Sequence, residues 1–452
     1  MFILKFDLLC AIKAIFASDV LAQAFGQGAS TQKHKSSKLL ADMAAGELSF
    51  EILDSILSFF STGKGGMSYY QAQQDLLSLC QVNRSWYKVA RIHLARTVSF
   101  ASDSKAAQIL SLCDQDPSFG PRVQTVLLSW PDASIYRTRR KAVLTIHDFC
   151  QLLPAFPAMR DLEVVCLPFP ALDPIQHATL ASTGVLQNLR SLTFTNSAYI
   201  QRKEEFQTIA ILLSLCPLLR HLSFTNMPLD IPETLAMPRP TFRLHTLSIR
   251  LTAARMINMQ TLGWVLGSTR DAQSCRQLTV HLSTNITDED DYTMAVKPTL
   301  GFAGLDEQLA PLGPSLEQLS LLGLREGQAS AIISRTSRKL EHLELFDTFG
   351  LSPDLLSDLP YPSSLHHLVF RALPRNYGPY HDLEEHLHPE VPISSASFLQ
   401  ELGKGARLEK LKVVTVPENA RFAKKGKWMN ILTTKACRKN GIYIDETPVS
   451  RI

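Results

Sequence analysis

The sequence lacks the closely spaced cysteine pairs that bind a metal ion or form a redox couple. Its eight cysteines stand singly, and no two of them are separated by only two residues. Most lie in apolar segments, where cysteine behaves as a small hydrophobic residue. This usage excludes a zinc ribbon or a thioredoxin-like motif. It is typical of a reducing compartment, so we expect the protein in the cytoplasm, the nucleus or both.

The sequence also lacks a strong charge excess and a long apolar run. Lys and Arg total 46 and Asp and Glu 42, and this net charge of +4 is too small and dispersed to indicate a nucleic-acid partner. The apolar N-terminus, residues 1–25, is interrupted by Lys5, Asp7, Lys13 and Asp19, before the roughly 18 apolar residues of a membrane helix accumulate. A targeting signal is one interpretation of it. We favour an amphipathic or poorly ordered leader and expect no membrane partner.

Motifs for catalysis and cofactor binding are missing as well. No Gly-x-Ser-x-Gly motif occurs, and residues 62–66 lack the first glycine of a phosphate-binding loop. His381, His386, His388 and Glu390 have the chemistry of metal ligands, but they lack the His-Glu-x-x-His spacing on a helix. We therefore predict no catalytic residue, no metal site and no cofactor. The enzyme alternative is a hydrolase within the inserted segments.

What the sequence does contain is, first, a helical segment at residues 47–91. Leu48, Ile52, Ile56 and Phe60 recur at helical spacing. A glycine-rich insert follows, and then two short helical runs at residues 75–82 and 84–91. Three helices this short cannot bury all their apolar surface among themselves, so the pattern predicts that another protein covers the remainder.

This segment resembles an F-box. The matching residues are Leu48-Ser49-Phe50-Glu51-Ile52-Leu53, Ile56-Leu57, Asp75-Leu76-Leu77-Ser78-Leu79 and Val82-Asn83-Arg84-Ser85-Trp86-Tyr87. Ser49 stands where the family has proline, and the glycine-rich insert is longer than the family's usual link. The resemblance implies that the segment binds a Skp-type adaptor and, through it, a cullin ubiquitin ligase.

The adaptor-binding surface that the resemblance implies consists of apolar residues from all three helices: Leu48, Ile52, Leu53, Ile56, Leu57, Leu76, Leu79 and Val82. The alternative for each of these residues is an ordinary place in the core of the domain. Trp86 is expected to anchor the third helix against that core, because its large ring contributes much buried area.

Beyond residue 100 an apolar-x-x-Leu-x-apolar pattern recurs ten times. The fourth positions of its copies are Val126, Leu162, Leu192, Leu222, Leu247, Leu278, Leu319, Leu343, Leu368 and Leu411, and their spacing varies from 24 to 43 residues. Short helical runs precede many copies. This strand-plus-helix unit resembles a leucine-rich repeat, and such units stack into a solenoid.

The predicted fold class is therefore α+β multi-domain, with a small three-helix F-box followed by an irregular α/β leucine-rich-repeat solenoid. We assign residues 1–38 to a leader and linker that is partly disordered and 39–99 to the F-box. Residues 100–416 form the repeat array, and 417–452 form a C-terminal extension or cap.

Successive side chains alternate across a strand, so the residues between the repeated apolar ones line the face that solenoids use for binding. Its chemistry changes from hydroxyl-rich in the middle repeats to His, Glu, Phe and Lys at the end, where Lys410 and Lys412 are assigned to it. The candidate target-binding residues are His221, Ser223, Thr246, Arg250, His342, Glu344, Phe346, His367 and Arg371.

These features together predict the substrate-recognition adaptor of a Skp-cullin-F-box ubiquitin ligase. The F-box would bind the adaptor, and the repeats would hold a protein target whose identity the sequence does not indicate. Proximity would then raise the effective concentration of target lysines near the ubiquitin carrier. The alternative is an interaction scaffold that has a degenerate F-box and uses only its repeats.

Overall fold

The structure is a computed structural model of the 452-residue chain. It describes residues 50–51, 53–54, 57, 74, 76–81, 84–100, 103–129, 150–165, 174–195, 205–227, 239–251, 258–282, 284–287, 294–297, 303–324, 327–346, 354–371, 390–403, 407–418, 420–422 and 426–447. The predicted leader, the glycine-rich insert and the three histidines of residues 381–388 lie outside this part. The chain divides into two compact units, Met1–Val98 with Arg122–Gln124, and Ser99–Pro121 with Thr125–Ile452.

The first unit is mostly helical where it is described. Residues 50–51, 53–54 and 57 are helical, as are 74 and 76–79, and helix α1 spans Arg84–Arg96. The buried side chains of α1 are Trp86, Val89, Ala90 and His93, which recur at the spacing of a single helix face. Trp86 is 7% exposed, and its predicted place in the core is confirmed.

Twelve strands of the described residues form one large sheet: β1 Thr97–Phe100, β2 Thr125–Ser129, β3 Asp161–Val165, β4 Ser191–Thr195, β5 His221–Thr225, β6 Thr246–Leu251, β7 Gln277–Leu282, β10 Gln318–Leu322, β11 His342–Phe346, β12 His367–Arg371, β14 Val413–Pro417 and β16 Tyr443–Thr447. They lie side by side in this same order, which is the order of the chain. Two small sheets pair β8 Thr284–Thr287 with β9 Met294–Lys297, and β13 Glu390–Val391 with β15 Arg421–Phe422.

Helical segments connect the strands of the large sheet. The α-helices are α2 Asp103–Gln115, α3 Pro174–Thr183, α4 Glu205–Ser214, α5 Met259–Asp271, α6 Leu305–Leu309, α7 Gln328–Ser334, α8 Ser395–Glu401 and α9 Gly426–Lys439. Short 3₁₀ helices span Gly120–Arg122, Leu153–Ala155, Val185–Asn188, Ala310–Ser315 and Leu355–Asp358. Across the described ranges, none of the helices has the length and apolar character needed to cross a membrane.

The strands are parallel, and their register follows the repeat pattern. Each predicted fourth-position residue pairs with the next, from Val126 with Leu162 through Leu343 with Leu368. All of these side chains are buried, since one face of every strand packs toward the helical segments. A parallel sheet with one strand in each repeat, and helical connections between most of its strands, is a leucine-rich-repeat-like solenoid.

The last predicted copy has a different register. Leu368 pairs with Val414, three residues beyond the predicted Leu411. The sequence fits both registers because Leu408, Leu411 and Val414 are all apolar and three residues apart. As a result Lys412 precedes strand β14, and the prediction that it lies on the strand face is wrong.

The sheet also extends past the predicted array. Strand β16 pairs in parallel with β14, so the segment predicted as a C-terminal extension contributes a further strand. The predicted pattern omitted β1, in which Val98 and Phe100 are buried. Both strands lack the full apolar-x-x-Leu-x-apolar pattern, and only packing against a neighbouring strand identifies them.

Gly323 permits the close approach of two neighbouring strands. It directly follows β10 with a φ of +71°. A Cβ atom at this position would lie 1.6 Å from the carbonyl oxygen of Leu282, at the end of β7. Only glycine fits there, because both the backbone conformation and the available space exclude a side chain.

Candidate functional site

Four of the predicted adaptor-binding residues form the core of the helical unit. Leu53, Leu57, Leu76 and Leu79 are at most 3% exposed and pack in one cluster with the buried face of α1. Their assignment to a docking surface is corrected, because short helices bury their most apolar faces against each other first. The other four, Leu48, Ile52, Ile56 and Val82, lie outside the described residues.

Other apolar side chains of the same unit remain on its surface. Phe50 is 53% exposed, Leu77 is 48% exposed and Tyr87 is 45% exposed. Leu77 and Tyr87 directly follow the buried residues Leu76 and Trp86, so helix geometry turns them outward. The helical unit therefore keeps apolar surface that its own core does not use.

A polar link joins the first and third helical segments of this unit. His93 is fully buried, and its Nε2 lies 2.9 Å from Asp54 Oδ1. Its Nδ1 lies 3.3 Å from Arg96 Nη1, and Arg96 always donates. Nε2 therefore carries the proton of a neutral ring. Burial, and then the charge of Arg96, lower the pKa of His93, although Asp54 acts in the opposite direction.

The strand face opposite the helical segments, here called the open face, carries chains of hydrogen bonds that run across strands. Thr246 Oγ1 donates to Gln277 Oε1 at 3.2 Å and lies 3.0 Å from His221 Nδ1. Because the hydroxyl proton is directed to Gln277, His221 is the donor in the second bond. Thr125 donates similarly to Asp161, at 3.3 Å. Such pairs fix side chains of neighbouring repeats relative to one another.

A second chain crosses four strands, from β7 to β12. His281 Nε2 lies 2.8 Å from Ser320 Oγ, and Ser320 Oγ donates to Glu344 Oε2 at 2.7 Å. Arg371 Nε donates to Glu344 Oε1 at 2.9 Å, in a salt bridge that is mostly shielded from solvent. The hydrogen bonds of this chain have defined directions, since the serine proton goes to the carboxylate and the histidine proton to the serine.

The environment of this chain moves the pKa values of its members. Burial, and after it the charge of Arg250, lower the pKa of His281 to about 4, although the charge of Glu344 acts in the opposite direction. Burial alone would raise the pKa of Glu344, but the hydrogen bonds from Ser320 and Arg371 outweigh that effect and hold it below the usual value. At neutral pH the chain thus contains a neutral imidazole, a carboxylate and a guanidinium group.

The predicted target-binding residues have different environments. His221 and Arg250 are exposed, whereas Ser223, Thr246, Glu344 and Arg371 are half-buried. His342 and His367 are half-buried with ring centroids 4.7 Å apart, and His367 Nε2 lies 2.8 Å from Thr415 Oγ1. All of these residues reach the open face.

Phe346 is the exception. It is 4% exposed, and its ring meets the edge of His281 with centroids 4.7 Å apart. Its assignment to the accessible binding surface is corrected, because the ring of His281, which lies two strands away on the other side of β10, covers it.

The open face offers recognition chemistry. Ser320 directs its proton to Glu344 and accepts from His281, so His281 does not act as a base toward it. Among the described residues, no group of three or more His, Cys, Asp or Glu side chains could hold a metal ion. Burial raises the pKa of the Cys275 thiol to about 12 and that of Cys437 to about 11, values that oppose thiolate formation.

Sequence reasoning missed several members of the open face, among them Gln277, His281 and Thr415. His281 follows the weakest copy of the pattern, at the same position as Arg250 and Arg371 in their repeats. Extending that copy by one residue would have identified it. Thr415 was hidden by the register shift of the last copy.

Comparison with known proteins assigns no family to this chain. No protein-family model matches the chain, and no curated protein matches it. A crystal structure of a Bacteroides fragilis protein is similar at 11% identity and a TM-score of 0.34, over 77% of this chain and 83% of that one. A Listeria monocytogenes internalin is similar at 11% identity and a TM-score of 0.30, over 71% and 73%. The repeat fold therefore rests on the register of the strands themselves.

Proposed function

We propose that this protein is an interaction adaptor that serves as the substrate-recognition subunit of a Skp-cullin-F-box ubiquitin ligase. In this role the helical unit binds a Skp-type adaptor and the open face holds a target protein. Catalysis belongs to other subunits, and the chain contributes proximity.

The observation that carries the proposal is the apolar surface left on the helical unit. Its motif leucines form a core, while Phe50, Leu77 and Tyr87 stay exposed beside it. Large aromatic and aliphatic side chains of this kind are frequent anchors of protein interfaces. The resemblance of this segment to an F-box supplies the identity of the partner.

Co-purification of the full chain with a recombinant Skp-type adaptor tests the proposal. We expect a stable complex with the natural protein and loss of the complex on Leu77→Asp or Phe50→Asp. Both side chains are about half exposed, so a charge there opposes docking without entering the core. Leu53→Asp would be uninformative, because Leu53 is 1% exposed and its substitution unfolds the unit.

Ile175→Asp is the matched control. Ile175 is 77% exposed and lies on α3, in the other compact unit, so its substitution should leave the complex intact. Failure of the folded natural chain to bind any Skp-type adaptor would overturn the ligase proposal. Equal loss of binding in all three variants would show that the exposed side chains of the helical unit are not the docking surface.

A further inference from the structure

A column of basic residues runs along the sheet, one residue before five successive strands. We call it the basic ladder, and its members are Arg160, Arg190, Arg220, His245 and Arg276. They occupy the second position of the repeat pattern, outside both the buried core and the predicted binding face.

The backbone holds the members of the ladder in line. The N–H of Arg190 donates to the carbonyl of Arg160 at 2.7 Å, and that of Arg220 donates to Arg190 at 2.8 Å. His245 and Arg276 continue the series at 2.7 and 2.8 Å. Adjacent strands are about 4.8 Å apart, so the five members span about 19 Å.

Positive charge in the ladder is only partly compensated. Arg160 and Arg190 are exposed, and within the described part of the chain neither makes a salt bridge. Arg276 pairs with Glu317 at 3.1 Å, in an exposed ion pair that water screens. Asp161 follows Arg160 directly, and its carboxylate interacts with the charges of Arg160 and Arg190, but it is half-buried and also accepts a hydrogen bond from Thr125.

The ladder generates a positive field at its centre. Arg220 Nη1 lies 3.2 Å from His245 Nε2 and donates to it. Burial lowers the pKa of His245, and the charges of Arg220 and Arg276 on either side lower it further. The two guanidinium groups oppose a further positive charge on the imidazole ring of His245, which shows that the local potential is positive. A positive potential of this kind would stabilise a bound anion.

The basic stretch has a defined end. In the next two repeats the same column holds Glu317 and Glu341, aligned by backbone bonds of 2.8 and 2.9 Å. A ligand attracted by the ladder is therefore repelled beyond Arg276. The span of about 19 Å corresponds to about six residues of an extended peptide, at roughly 3.3 Å for each residue.

A shallow apolar depression adjoins the ladder between Arg160 and Arg190. Its volume is about 210 Å³, and Pro157, Ala158, Asn188 and Leu218 complete its lining. Leu218 is 49% exposed. The depression can receive an aliphatic side chain while the two arginines beside it contact negative groups. An acidic peptide offers both kinds of group, whereas a nucleic-acid backbone offers only the negative ones.

We propose that the basic ladder binds an extended acidic segment of the target protein, with one aliphatic side chain seated in the depression. This inference rests on the proposed target-binding role of the repeats and is independent of adaptor docking. It assigns recognition of the target to the edge of the sheet as well as to the open face.

Fluorescence anisotropy with the full chain tests this inference. The probe is a labelled hexapeptide with five Glu and one Leu, compared with the same peptide carrying Lys for Glu and with a single-stranded oligonucleotide. We expect the acidic peptide alone to bind and expect its affinity to fall with salt. Arg160→Gln with Arg190→Gln should weaken binding about tenfold, as expected for two exposed charge contacts.

Lys435→Gln with Lys439→Gln is the matched control, since both lysines are exposed and the change of net charge is the same. It should leave the affinity within about twofold, because these residues lie away from the ladder. Absence of peptide binding, equal weakening by the control, or tighter binding of the oligonucleotide would each overturn the inference. Binding of the Skp-type adaptor by the Arg160 and Arg190 double variant would show that adaptor docking does not depend on the basic ladder.

Discussion

A histidine buried in its neutral form links folding to pH. His281 donates to Ser320 and packs against Phe346, and protonation would place a charge inside this shielded chain. Its pKa is about 4 in the folded protein, against an ordinary value of 6.5. Between these two pH values the unfolded chain binds the proton more readily than the folded protein does. The contribution of His281 to the free energy of unfolding is therefore complete above pH 6.5 and decreases as the pH falls toward 4.

We expect His281→Gln to reduce the pH dependence of stability. Gln can still donate to Ser320 but cannot be protonated. Between pH 6.5 and 4 the free energy of unfolding should therefore fall less steeply in the variant than in the natural protein, by up to about 1.4 kcal/mol per pH unit. Urea unfolding midpoints of both proteins across this range provide the measurement. An unchanged slope in the variant would show that His281 titrates normally in the folded state.

The choice between core and surface was the least predictable property of single residues. The helical pattern marked the segment containing Leu53 and Leu57 correctly, and both are fully buried. It could not tell them from Leu77 and Phe50, because these helices are apolar around most of their circumference. Which face turns inward depends on the neighbouring helices, and that information is not local in sequence.

Strands were easier to predict than their register. The strong copies, such as those of Leu192 and Leu222, align as expected because each combines an apolar-x-x-Leu run with alternating burial. The copy at Leu411 failed because an extra apolar residue three positions later fits the buried site equally well. Only pairing with β12 decides between them.

The turn after β10 leads to a prediction about this element. Gly323→Ala should lower the free energy of unfolding by clearly more than the roughly 1–3 kcal/mol of backbone strain alone, since its Cβ would collide with the backbone. Gly327→Ala is the control. Gly327 has a φ of +82°, but no atom lies within 4 Å of the position that a Cβ would occupy, so only the strain remains. Equal losses for the two variants in urea unfolding would contradict the steric explanation.

At the scale of the molecule, the repeat solenoid was predictable and its ends were not. Internal repeats produce one signal many times, so errors in single copies do not hide the fold. Among the described residues, the terminal strands β1 and β16 pair with another strand on one side only and therefore do not need the full pattern. Val98 and Phe100 of β1 are buried all the same, and so is Ile442, directly before β16.

Removal of residues 418–452 should destabilise the whole array. The truncation removes β16, which pairs with β14, and the buried Cys437 and Ile442. It leaves β14 as an unpaired edge that favours association with other chains. We expect a lower melting temperature and oligomers in size-exclusion chromatography.

Removal of residues 448–452 alone is the control for this truncation. These residues follow the last strand, so their loss should change neither property. A truncated chain that stays monomeric and melts at the original temperature would show that β16 does not cap the array.

The β8-β9 hairpin interrupts the chain between two strands that nevertheless pair directly, Leu278 of β7 with Leu319 of β10. The two strands tolerate this excursion because their pairing depends on their own apolar residues and not on the length of the connection. Segments of this kind can grow, shrink or be exchanged during evolution while the surface on either side keeps its geometry. The hairpin is therefore a natural position for engineering, where a reporter or an epitope can be grafted without rebuilding the solenoid.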